Sequence, residues 1–274
     1  MVEKNKIKEH FSNTAFIWNN KIYKNKNDLR LFEYCDKQYR FDYVTEMIKK
    51  EKIQNGRAMD MGCGAGQLIP ILSKLNYHVY GVDISKRMIE ISLNRCRESN
   101  ISAKLEVGDC ETTEYPDNYF DLYVAMGVIE YLDIDTIMLK EMKRILRPGG
   151  IGIITLRNIR CIHVKWNTIY LKKYRNIFRN TVKRILGKQI SVYQPISRQH
   201  DPRDFKNLLK RLSFTILEEE YCHYHTLPLP LSIWFSFLQA IFGKAMEKYF
   251  PISLSPMLAS TYIVKFVNAG EKDV

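Results

Sequence analysis

The chain reads as an α/β protein of the doubly wound type, an open, mostly parallel sheet with helices on both faces. Three observations predict it. Between residues 56 and 157, short apolar runs alternate with stretches of helical period, the order that a parallel sheet requires. A glycine-rich turn, Gly62, Gly64 and Gly66, follows the first strand and opens a helix. Carboxylates recur where strands end, at Asp60, Asp83 and Asp109, the edge at which open parallel sheets bind ligands.

The elements follow in order. GRAMDM is a strand, QLIPILSKL a helix and HVYGVD a second strand, which makes one βαβ unit. Ser85 opens the helix SKRMIEISLNRC, as a hydroxyl at an N-cap should. The strands KLEVGD and FDLYVAMG come next, then the helix IDTIMLKEMKRIL. Pro148, Gly149 and Gly150 are expected to stop that helix in a turn before the strand IGIITL. The helix DPRDFKNLLKRL and the strands FTILEEE and ASTYIVKFV complete the chain, and the last two strands are expected to be neighbours. Residues 1–45, rich in Lys and Asn with scattered aromatics, form a helical N-terminal cap over the active edge of the sheet. The main domain covers 46–274, with substrate-side insertions at 158–200 and 222–258.

With 274 residues, 46% hydrophobic and 26% charged, the chain can bury a core and stay in solution. It is not a disordered tail. Six cysteines without a C-x-x-C pair and a polar start, MVEKNKIKEH, point to the cytoplasm. The longest uncharged stretch, 221–243, is cut by Pro228 and Pro230, which argues against a spanning helix.

The chemistry rests on Met59 to Gly66, MDMGCGAG. Glycines there let the backbone turn tightly and let a ligand come close. Gln67 stands where a dinucleotide fingerprint wants a small residue, so G-x-G-x-x-G is not met. Asp83 is placed to accept two ribose hydroxyls. Asp109 and Cys110 can meet an adenine edge, and Val124 to Met126 can cover a purine face.

Taken together, MDMGCGAG, GVDIS, VGDC, FDLYVAMGVIEYL and LKEMKRILRPGG resemble the class I S-adenosylmethionine (SAM)-dependent methyltransferases, among them small-molecule and quinone-precursor O-methyltransferases. The resemblance implies a Rossmann-like, seven-stranded, mostly parallel sheet whose last strand is antiparallel, with SAM as cofactor. It further implies that Asp60, Gly62, Gly64 and Gly66 hold the methionine part and that Asp83 holds the ribose. Ile84 and Met88 would flank one adenine face, Asp109 and Cys110 its polar edge, and Met126 would line the pocket near the methionine moiety. Glu130 in VIEYL matches the family's V-L-E-H pattern, but Tyr131 replaces the His. A metal role known for some relatives is therefore not carried over, and Glu130 is read as a helix-start carboxylate.

Methyl transfer from a sulfonium needs alignment first and a base only when the acceptor must lose a proton. His163 and His200, which flank the basic segment, are the candidates. His223-x-His225 lacks a third ligand and is read as surface. No metal is assigned.

The net charge of +12 is concentrated. From Arg157 to Arg198 there are eleven Lys and Arg and no Asp or Glu. Trp166, Tyr170, Tyr174, Ile177, Phe178, Thr181 and Ile185 recur at helical spacing, with Lys172, Arg175, Arg179 and Lys183 on another face. This basic amphipathic pattern fits an anionic surface. The acceptor is read as small or lipid-linked, with peripheral contact to the inner face of an anionic membrane as one partner. A soluble anionic acceptor, free or held on an acidic carrier, is the other. RNA ranks below both, since the aromatics sit on the apolar face. A solvated lid is the plain structural alternative, and a SAM-binding partner subunit without catalysis the alternative to an enzyme. The sequence leaves the oligomeric state open.

Overall fold

The computed structural model describes residues 2–17, 32–166, 197–224, 245–246 and 255–270. The basic segment bearing Lys172, Arg175, Arg179 and Lys183 lies outside the described residues, as do His225 and the apolar run 227–242. Among the described residues no helix is long and apolar enough to cross a membrane.

Two helices lead, α1 (Val2–Ile17) and α2 (Phe32–Lys49), and α2 runs unbroken across residue 45. The alternating core follows as β1 (Arg57–Met61), α3 (Ile69–Lys74), β2 (His78–Asp83), α4 (Lys86–Glu98), β3 (Ala103–Val107) and β4 (Phe120–Met126). Then come α5 (Asp135–Ile145), β5 (Leu146–Arg157), α6 (Pro202–Arg211), β6 (Phe214–Tyr224), a single turn α7 (Ser255–Leu258) and β7 (Ala259–Asn268). All seven strands form one sheet in the order β3-β2-β1-β4-β5-β7-β6. The first five are parallel, and β7 runs antiparallel between β5 and β6.

Strand composition follows position. Central β4 buries Phe120, Leu122, Tyr123, Val124 and Ala125 completely, as a strand covered on both faces must. At the β3 edge, Lys104 and Glu106 alternate with Ala103 and Leu105. One face packs Val44, Met47 and Ile48 of α2, Leu72 of α3 and Cys96 of α4 against Leu122, Val124, Ile153 and Ile263. The other packs Met138, Leu139, Met142 and Ile145 of α5 and Phe205 and Leu209 of α6 against Tyr123, Ile154, Tyr262 and Phe266. Truncating one such side chain, Phe120 for instance, would cost about 3–5 kcal/mol.

The expected RPGG turn takes another form. The chain passes directly from Ile145 of α5 into β5, where Leu146 pairs with Phe120 and Ile151 with Leu122. The residues between bulge out of register. Gly149 has φ +76°, and a Cβ on Gly150 would fall 2.8 Å from Leu146 Cδ1 and 2.9 Å from the Arg147 carbonyl. The glycines thus allow a bulge rather than a helix stop followed by a loop.

β6 extends to Tyr224, so Cys222 and Tyr224 pair with Thr261 and Ala259 of β7 inside the sheet. His223 is therefore buried rather than surface, with φ +61° and Nδ1 2.8 Å from Ser260 Oγ.

Candidate active site

The parallel strands all point their C-terminal ends at one edge, and the chain order reverses between β1 and β4, the place where open sheets of this kind take ligands. After Met61 the backbone turns through Gly62 (φ +69°), Gly64 (φ +52°) and Gly66 (φ +74°). The N–H groups of Gly62 and Cys63 donate to the Val82 carbonyl at 2.7 and 3.1 Å, which ties the loop to β2. The three glycines serve different ends. A Cβ on Gly62 would run into Val128, and one on Gly66 into Ser92, whereas one on Gly64 would meet nothing within 4 Å. Among the described residues, Gly64 therefore faces open space.

Asp83 at the end of β2 is held from both sides. Its Oδ2 accepts from Gly64 N–H at 2.9 Å and its Oδ1 from Ser85 N–H at 2.8 Å. Ser85 in turn caps α4 by accepting from Met88 N–H. Burial raises the Asp83 carboxyl, and these two N–H groups offset part of that rise. Asp60 is 2% exposed. Burial, with the Asp83 charge adding to it, pushes its carboxyl up to about 7. Ile84 is half-buried beside them, and Met88 packs with Ala65 and with Ala15 of α1.

Asp109 lies two residues beyond β3, in a turn where its Oδ1 accepts from Glu111 N–H at 3.0 Å. Its Oδ2 takes a hydrogen bond from Lys4 Nζ of α1 at 2.6 Å, and the same ammonium pairs with Glu111. Burial opposes the charge on Lys4, but the two carboxylates outweigh it and hold Lys4 well above its ordinary value. Burial pushes the neighbouring Cys110 thiol up to about 12, so it stays neutral. Ser12 Oγ lies 2.9 Å from Ser85 Oγ, and Phe11 meets Tyr131 edge to face at 5.2 Å.

Beyond half-buried Met126 the chain turns at Gly127 (φ +69°), whose N–H donates to Thr155 Oγ1 at 3.0 Å. A Cβ there would lie 2.6 Å from Arg40 Nη1. Glu130 sits in a 3-10 turn, Ile129–Tyr131, and is 4% exposed. It stands in the first turn of this short helix, as expected from the sequence, but its partners are side chains of other elements. Its Oε1 accepts from Arg40 Nη1 at 3.1 Å and its Oε2 from Ser197 Oγ at 2.6 Å.

Arg198 reaches Asp135 Oδ1 at 2.7 Å, and Arg160 lies 3.6 Å from Asp201. Among the described residues of the basic segment, Arg160 and Arg198 therefore do have acidic partners, drawn from outside the segment. His200 Nε2 lies 3.1 Å from Asp135 Oδ2, while its buried Nδ1 has no hydrogen-bond partner among the described residues. Burial works against ionisation of Asp135, but His200 and Arg198 hold it below its usual value. His163 is half-buried in the helical stretch 162–166.

The edge thus brings together the loop 62–66 with Asp60, Asp83, Ile84, Met88, Asp109 and Cys110, and a second cluster of Arg40, Glu130, Asp135 and His200. Lys4, Ser12, Arg40 and Glu111 were not legible as site residues. Ser85 was legible only as the residue that opens α4.

Residues 59–154 match the family described as Methyltransferase domain. Phosphoethanolamine N-methyltransferase 1 of Arabidopsis thaliana is 32% identical over 112 residues, 40% of this chain but 23% of that enzyme. The chain thus spans under a quarter of the length of this plant relative. A ubiquinone biosynthesis O-methyltransferase of Bartonella tribocorum is 23% identical over 77% of this chain and 83% of its own. The fold matches magnesium protoporphyrin IX methyltransferase of Synechocystis, solved with bound SAM, with TM-score 0.61 and 15% identity over 97% of both chains. Residues 59–154 are thus a methyltransferase domain, and the strand order and glycine loop around it give the chain the seven-stranded fold of the SAM-dependent methyltransferases.

Proposed function

We propose that the chain binds SAM over the ends of β1 to β4 and transfers its methyl group to a small or lipid-linked acceptor of anionic or amphipathic character, at oxygen. One observation carries the cofactor half: Asp83 at the end of β2 binds the N–H of Gly64 in the loop after β1, and a Cβ on Gly64 would meet none of the described residues within 4 Å. The Gln67 side-chain amide beside this loop is buried without a hydrogen-bond partner among the described residues, a donor available to a ligand. In this reading Asp60 and the loop Gly62, Gly64 and Gly66 hold the methionine part, and Asp83 the ribose hydroxyls. Ile84 and Met88 flank the adenine, Asp109 and Cys110 meet its edge, and Met126 lies near the methionine moiety.

SAM supplies an electrophilic methyl carbon on a positively charged sulfur. The chain's part is to align the acceptor and keep water out. Asp60, once deprotonated, offers its charge to the ligand's ammonium group. His200 is the better placed of the two candidate bases, because the Asp135 carboxylate can only accept from Nε2–H. That leaves the lone pair on Nδ1 to take the acceptor's proton.

The acceptor class is supported by a surface past β5. Ile162, Trp166 and Met257 are 51%, 48% and 47% exposed, and Arg157 and Lys165 are exposed among them. Cys161 Sγ donates to the Leu258 carbonyl, which joins the two segments. Lys172, Arg175, Arg179 and Lys183, outside the described residues, add positive charge suited to an anionic membrane or acceptor. A second reading, nitrogen of a phosphorylated amine, is favoured by the 32% identity to a phosphoethanolamine N-methyltransferase.

Calorimetry with SAM, S-adenosylhomocysteine (SAH) and NAD tests the core of this. Binding of the first two and not of NAD is expected. NAD affinity without SAM affinity would overturn it.

A further inference from the structure

α1 meets the cofactor groove at separate points along its length. Near its start, Lys4 bridges Asp109 and Glu111 past the end of β3. In its middle, Ser12 reaches Ser85, whose own N–H holds Asp83 at the end of β2. Near its end, Ala15 is fully buried and packs with Ala65 of the glycine loop after β1 and with Met88. From Lys4 to Ala15 a helix rises about 16 Å, and the step from β3 to β1 in a sheet is about 10 Å. The helix is long enough to lie across all three strand ends obliquely.

The contact at Lys4 has specific chemistry. Asp109 Oδ1 is occupied by Glu111 N–H and Oδ2 by the Lys4 ammonium, so two donors fix the plane of the carboxylate. Glu111, 11% exposed, would repel Asp109 without the cation between them. Each carboxylate oxygen keeps a further lone pair, which can take an exocyclic amino group.

We propose that α1 completes the nucleoside half of the cofactor site, with Lys4 as the residue that positions Asp109 and closes the groove over bound ligand. The inference rests on the SAM-binding reading above. It makes ligand escape depend on the release of one ion-paired lysine.

The test is stopped-flow displacement of SAH from the full chain at low and high salt. Lys4→Gln should release SAH about fivefold faster than wild type at low salt, the scale of one partly exposed ion-pair cluster. Wild-type release should quicken with salt, and Lys4→Gln release should hardly respond. Lys4→Arg should restore both, and Glu111→Gln should fall between. Circular dichroism checks that the variants fold. If Lys4→Gln releases SAH at the wild-type rate with the wild-type salt response, α1 is only packing and the proposal fails. If wild type binds no SAH at all, the cofactor reading itself fails, and the two outcomes are distinct.

Discussion

Asp60 shows how a residue proposed to hold the ligand can oppose stability. Its carboxyl ionises near 4 in an unfolded chain but is pushed up to about 7 by burial in the ligand-free fold. The folded state holds the proton more tightly, so stability falls as pH rises from about 4 to about 7 and stays lowered above that. The penalty is at most about 4 kcal/mol. Asp60→Asn removes the titration. Its ligand-free melting temperature is expected to exceed that of wild type at pH 8, with the gap shrinking toward pH 5, while SAM affinity is lost. A gap that stays constant over that range would show that burial does not set the Asp60 pKa. The motif MDMGCGAG and the carboxylates at 83 and 109 were legible because a glycine spacing after a strand is a local signal. The division of labour among the glycines was not, because Val128 and Ser92 reach Gly62 and Gly66 from other elements.

At the scale of elements, α2 is tied to the exit of β4 by one buried ion pair. The Arg40 and Glu130 side chains are 10% and 5% exposed, and Ser197 joins them from the segment after β5. Removing one member of such a pair leaves a buried charge and typically costs 3–5 kcal/mol, whereas replacing both costs far less. Glu130→Gln alone is therefore expected to lower the urea midpoint strongly, and Arg40→Met with Glu130→Leu to recover most of the loss. If the two effects simply add, no coupling links α2 to the acceptor side. Helix and strand positions in the alternating core came directly from periodicity, within two residues at most ends. The β5 bulge did not, since RPGG reads locally as a stop. Only the pairing of Leu146 with Phe120 draws it into the sheet.

For the whole molecule, charge is the global feature, with +12 overall and exposed Ile162, Trp166 and Met257 beside basic residues. Flotation with anionic vesicles is expected at low salt and should fade as salt rises, since screening acts within about 8 Å at physiological ionic strength. Changing Lys172, Arg175, Arg179 and Lys183 together to Gln should abolish it and leave SAM affinity intact. Failure of wild type to float would instead favour a soluble anionic acceptor. The sequence by itself determined the order of strands and helices, the glycine turn and the carboxylates where β1 to β3 end, because hydrophobic period and turn chemistry are written in neighbouring residues. Only the tertiary structure decided that Lys4 lies on Asp109, Arg40 over Gly127 and Asp135 on His200. Those partners are separated by tens of residues or more, and packing between distant elements leaves no periodic trace in the chain.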